Sequence, residues 1–108
     1  PAQSITDTAL VAAQHTAVAA IDHAIAWLQV ASSLGQPMLE AGARRFALTL
    51  GRSLALALLV DHAAWSLANE GDGRARVAAL RFAQTAIDLI QDECVEGYAA
   101  LAQDVTLA

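Results

Sequence analysis

The sequence predicts an all-α protein, an up-down bundle of three long helices. Hydrophobic residues make up 56% of the chain, above the roughly 45–50% usual for soluble domains. Much of the excess is alanine, the best helix former. Six Gly and two Pro are all that interrupt 108 residues. Two breaks, Leu34-Gly35-Gln36-Pro37 and Asn69-Glu70-Gly71-Asp72-Gly73, separate segments whose apolar residues recur at helical spacing. A chain of this length is expected to be one domain, 1–108, with helices at about 5–33, 38–68 and 74–103.

The first helix is expected to start near Ile5. Ser4 or Thr6 would cap it, and Asp7 in the first turn would suit the positive end of its dipole. Leu10, Val11, Val18, Ile21, Ile25 and Leu28, with Trp27 beside them, trace one stripe, and alanine fills the gaps. Gly35 fits a C-terminal cap, and Pro37 fits the first turn of the next helix, where its missing N–H costs nothing. So short a break makes the two helices antiparallel neighbours.

The second helix is the centre of the chain. Ser53 to Val60 (SLALALLV) carries no charge; Arg44, Arg45 and Arg52 precede it, and Asp61, His62 and Trp65 follow. Phe46, Leu50, Leu54, Leu58 and Trp65 fall on one face, and Leu48, Leu56, Leu59 and Leu67 on the other. A helix apolar nearly all round must be covered on most sides. The third helix, after an expected cap at Asp72, places Val77, Leu80, Ile87, Ile90, Val95, Tyr98 and Leu101 at helical spacing. Gly97 would weaken it by about 1 kcal/mol relative to Ala. Three helices leave the usual four-helix form incomplete, to be filled by a fourth helix or a partner chain. The leftover apolar surface points to self-association.

Charge excludes some partners. The net charge is −5, and the six basic residues are all Arg and scattered. No basic stripe exists to neutralise phosphates, so neither nucleic acid nor an anionic membrane is expected. No uncharged stretch reaches the ~20 apolar residues of a membrane span. The N-terminus lacks the basic region and apolar core of a signal peptide. The single cysteine, Cys94, cannot form an internal disulfide, which favours a reducing compartment, expected to be the cytoplasm.

Chemistry-bearing residues are few. Asp88, Asp92 and Glu96 would share one helical face, with Glu93 beside them, and read as a solvated acidic face. The Glu-x-x-His pairs of di-iron bundles are missing. His15, His23 and His62 have no metal-ligand spacing, and no His-Glu-x-x-His is present, so no metal site is expected. Cys94 has no adjacent base and reads as a buried, inert thiol. Arg44 and Arg45 read as solvent-facing ion-pair residues. No residue is assigned a catalytic role.

The stretch Ala19 to Pro37 (AAIDHAIAWLQVASSLGQP) resembles the first helix and turn of the C-terminal helical domain of acyl-CoA dehydrogenases. The segment LALALLVDHAAWSLANEGDGRARVAALRFAQTAID is similar to that domain's second helix, turn and start of its third. The resemblance covers nearly the whole chain and is most specific at Leu34 to Pro37. It implies a part in an FAD-dependent oxidoreductase of lipid or steroid acyl-CoA oxidation. Oligomerisation and one wall of a flavin site would be its tasks. Where the family places a flavin-contacting Arg and Phe, this sequence has Ala31 and Leu34, and Ala31 cannot grip a pyrophosphate. Ser33 is left as the one candidate cofactor contact. The Gln and Gly-Gly pair of the family's third helix are not kept around Glu96 to Ala100. The family's catalytic Glu has no counterpart. The expectation is a chain inactive alone, binding no FAD itself, as a fragment of a larger subunit or a flavin-poor subunit. Its partners would be a second copy or a related dehydrogenase subunit. Two rival readings are a stand-alone helical dimerisation module and a ligand-binding bundle with a pocket near Trp27 and Trp65.

Overall fold

The computed structural model describes residues 5–90. Among them are three helices, α1 (Thr8–Leu34), α2 (Gln36–Glu70) and α3 (Arg74–Ala83), and no strand. The fold class matches expectation; several details differ, for local reasons.

Helix α1 begins one turn later than its apolar pattern suggests. Asp7 is itself the N-cap, and its Oδ1 accepts the backbone N–H of Ala9 at 3.0 Å and of Leu10 at 3.1 Å. Its Oδ2 accepts from Arg76 Nε at 2.8 Å. The residue that satisfies the helix start therefore also ties α1 to α3.

Only Gly35 separates α1 from α2. Its φ of 104° and ψ of 180° lie where a side chain is strained, so glycine is required there. Its N–H donates to Ala31 O at 3.1 Å, closing α1, and Pro37 sits in the first turn of α2. The tight joint folds α2 back along α1. Leu10 and Ala13 thus meet Val60, Ala63 and Ala64, while Trp27 and Ala31 meet Met38.

The face that α1 buries is not the stripe of its large residues. Leu10, Ala13, Ala17, Ala20, Ala24, Trp27 and Ala31 are buried, whereas Val18, Ile25 and Leu28 are 48%, 49% and 39% exposed. Alanine on the facing side lets the two backbones approach closely, so the alanines that seemed to fill gaps are the interface. The same economy leaves α2 less covered than expected. Leu56 and Val60 are buried, but Leu48, Leu54, Leu58 and Trp65 remain exposed.

Two apolar clusters result. One joins Leu10, Ala13, Ala17 and Ala20 to Leu56, Val60, Ala63, Ala79 and Ile87; the other joins Trp27, Ala31 and Met38. A polar waist on α2, formed by fully buried Thr49 and Ser53, lies between them. Ser53 Oγ donates to Thr49 O at 2.6 Å. Thr49 Oγ1 accepts from Leu89 N at 2.8 Å.

That last contact reveals the largest departure. The third helix, expected over 74–103, stops at Ala83. Thr85 Oγ1 donates to Phe82 O at 2.6 Å, and Gln84 and Thr85 close the end with short-range backbone bonds. Residues 86–90 then cross α2 without helical structure. Arg52 holds this strap, donating from Nε to Ala86 O at 2.6 Å and from Nη2 to Thr85 Oγ1 at 2.7 Å. Its guanidinium lies 4.9 Å from the Phe82 ring centre. Ile87 is buried in the larger cluster. The local side-chain bonds and the burial of Ile87 outweigh helix propensity, which is a weak term against tertiary packing. The rest of the expected helix, 91–103, lies outside the described residues. Asp72 does not act as the cap of α3 either: Gly73 holds that position, and Asp72 instead accepts from Arg74 N at 2.9 Å.

Candidate functional site

The turn between α1 and α2 is where the sequence placed its cofactor-contact candidates. Beneath it, Trp27 is 6% exposed and stacks on Phe46, ring centres 5.5 Å apart and 29° between planes. Gly42 lies against the Trp27 indole, so close that a Cβ there would overlap the ring. Leu39, Phe46 and Ile90 pack around this cluster.

Ala31 is fully buried within it. A long cation at this position would enter the Trp27–Met38 cluster rather than face a ligand. Ser33 is exposed, and its Oγ donates to Val30 O at 2.7 Å, so its proton serves its own helix. Leu34 is 36% exposed and offers no polar group. Gln36 Nε2 donates to Glu40 Oε1 at 3.2 Å. The side chains of this turn do not fit the grip of a flavin pyrophosphate: none is cationic, and Ser33 and Gln36 donate within their own helices.

The other candidates are scattered. Asp88 is on the strap rather than on a helical face, and its Oδ2 lies 2.5 Å from His23 Nδ1. Asp92, Glu93, Cys94 and Glu96 lie outside the described residues. No group of three metal-ligating side chains occurs among the described residues. His15 is exposed, as are Arg44 and Arg45. His62 stacks on Trp65, centres 6.0 Å apart and 17° between planes. Trp27 and Trp65 do not frame one pocket. Trp27 packs at Gly42, 23 residues before Trp65 along α2, about 35 Å away. A separate cleft of about 260 Å³ opens where Ile5, Asp7 and Leu10 face Ala64, Leu67 and Ala68. The Arg76 hydrogen bond, aided by the N–H groups of Leu10 and Ala9, holds the Asp7 carboxyl below its ordinary range. Arg74 does the same for Asp72, and the Arg74 guanidinium is held protonated more firmly in return.

What the surface does offer is apolar area. Leu58 is 72% exposed, Leu54 48% and Trp65 45%, all on the side of α2 turned away from α1. Sequence reasoning placed Leu54, Leu58 and Trp65 on one face but expected that face to be covered. It missed the strap and its anchors. The signal was there: Thr49 and Ser53 are polar residues in an apolar run, and each has a backbone partner.

Residues 2–106 match the family described as acyl-CoA dehydrogenase 11 C-terminal domain-like. The chain belongs to this family. No curated protein and no solved structure matches it. For an acyl-CoA dehydrogenase C-terminal-like domain, helices packed side by side are the expected form, and all three described elements are helical. Family membership carries an FAD-dependent dehydrogenase background, yet no side chain at the turn of this chain supplies the cation that would grip a flavin pyrophosphate.

Proposed function

We propose that this chain is the assembly module of an acyl-CoA dehydrogenase-like oxidoreductase in the cytoplasm. It contributes subunit contacts, and a wall beside the acyl-CoA site, rather than flavin ligands or catalytic groups. Its partner is a second copy or a related dehydrogenase subunit. The supporting observation is the exposed ridge of Leu54, Leu58 and Trp65 on a helix whose other side is already packed. Exposed apolar ridges of this kind mark interaction surfaces.

Lipid is the other apolar environment to weigh. Both α1 and α2 are long and apolar enough, by length and composition alone, to cross a membrane, and only 28% of the relevant window in each is buried. In α2, however, a spanning helix would carry Arg52 and Asp61 into hydrocarbon, where ionised groups are costly. Arg52 is also committed to Ala86 and Thr85. A protein partner is the better reading.

Sedimentation analysis and FAD titration of the purified chain test the proposal together. A defined oligomer with no flavin uptake is expected. A monomer at every concentration up to about 100 μM, or tight stoichiometric FAD binding, would overturn it.

A further inference from the structure

Among the described residues, none approaches Gly51 closely enough to require a glycine there. Gly51 sits in the middle of α2, where glycine costs about 1 kcal/mol relative to alanine, and a Cβ there would meet open space. Gly42, by contrast, is explained by Trp27. A mid-helix glycine on an exposed apolar ridge suits the close approach of another backbone.

The residues around it form a repeat. Arg44, Gly51, Leu58 and Trp65 recur every seven positions, and Ala47, Leu54 and Asp61 each follow three positions after one of them. These positions have the spacing of a coiled-coil seam, with Leu54, Leu58 and Trp65 as its large apolar members. The seam lies on the side of α2 away from α1: all of these residues are exposed apart from half-buried Asp61.

We infer, building on the assembly role proposed above, that the occupant of this ridge is α2 of a second copy, running antiparallel about a two-fold axis between Arg52 and Ser53. Antiparallel seams pair the two position types across the interface. With that axis, Gly51 lies opposite the partner's Leu54, and Ala47 lies opposite the partner's Leu58. Each leucine thus meets a small residue that makes room for it. The next layer outward sets Arg44 beside the partner's Asp61, an opposite-charge pair repeated by symmetry. A parallel arrangement would instead place Arg44 beside Arg44 and Asp61 beside Asp61, two like-charge layers. Small-to-large fit and charge both select the antiparallel register and a second copy of the same chain, since an isologous contact must be self-complementary.

Charge exchange tests the register. Arg44→Asp and Asp61→Arg each create two like-charge contacts in the homodimer and are expected to raise its dissociation constant roughly tenfold or more. An equimolar mixture of the two variants places opposite charges at every such contact and is expected to restore association to near the wild-type level. Gly51→Leu, whose Cβ would meet no neighbour among the described residues, is expected to keep full helicity by circular dichroism and lose the dimer in sedimentation. A wild-type dimer that survives Gly51→Leu, or a mixture no tighter than either variant alone, would overturn this seam while leaving the assembly role intact on another face. A wild-type chain that is monomeric throughout would overturn both.

Discussion

The Trp27 indole occupies the space that any side chain at position 42 would need. This contact sets how near α1 and α2 approach at the turn end of the molecule. Gly42→Ala should therefore destabilise the fold, although alanine favours helix. Overpacking costs typically 1–3 kcal/mol and the propensity gain returns about 1 kcal/mol; with the Cβ driven into the indole itself the upper end applies, and a net loss of up to about 2 kcal/mol is expected in urea denaturation. Trp27→Phe combined with Gly42→Ala should cost less than the two single losses added, because the pair shares one space.

Ala31→Arg restores the residue type that the family resemblance places at this position. Its Cα faces the Trp27–Met38 cluster, and Ala31 is fully buried. Burying an unpaired charge should cost ~3 kcal/mol or more. The expected result is a large drop in thermal midpoint with no gain in flavin affinity, measured by quenching of FAD fluorescence. A stable variant that binds FAD would show that the position faces outward.

Arg52 anchors the strap through Ala86 O and Thr85 Oγ1 and covers the Phe82 ring. Arg52→Ala should cost roughly 1.5–3 kcal/mol, the range for hydrogen bonds that involve a charged group. The effect should also be local. Amide exchange at residues 85–90 should accelerate while the amides of Leu56 and Val60 keep their protection. Arg52→Lys should restore only part of the loss, since an ammonium cannot reproduce the two-pronged contact.

The Asp7 carboxyl is held below its ordinary value of 3.8, first by Arg76 and then by the N–H groups of Leu10 and Ala9. A carboxylate whose folded pKa is depressed stabilises the protein above its unfolded pKa, and that contribution disappears as pH falls through the lower folded value. Asp7→Asn should keep much of the helix cap but lose the ion pair with Arg76. The stability gap between wild type and variant should be full at pH 7 and should shrink as the solution is acidified below about 4. A gap independent of pH would mean that Arg76 contributes nothing to the Asp7 interaction.

Much of this protein was legible in its residues. Alanine content, the two breaks and the helical spacing of apolar residues define an all-α chain, because helix formation depends on near neighbours and on periodicity. Gly35 and Pro37 mark the turn because each has a backbone requirement that no other residue type meets as well. The stretch Leu34 to Pro37 and the apolar character of the helices also pointed to the acyl-CoA dehydrogenase C-terminal-like family. The tertiary structure decided the rest. Which face of α1 is buried depends on how closely two backbones approach, and small residues can win that contest against large ones; Ala17 and Ala24 are inside while Val18 and Ile25 are outside. Where the third helix ends depends on Arg52 and Thr49, more than thirty residues earlier, which no local pattern can convey. That Ala31 points inward, and so cannot serve a cofactor, follows from packing around Trp27 and Met38. The central helix was expected to be a covered spine. Its outward ridge of Leu54, Leu58 and Trp65 is instead left exposed, because alanine-lined packing against α1 covers only one side of it.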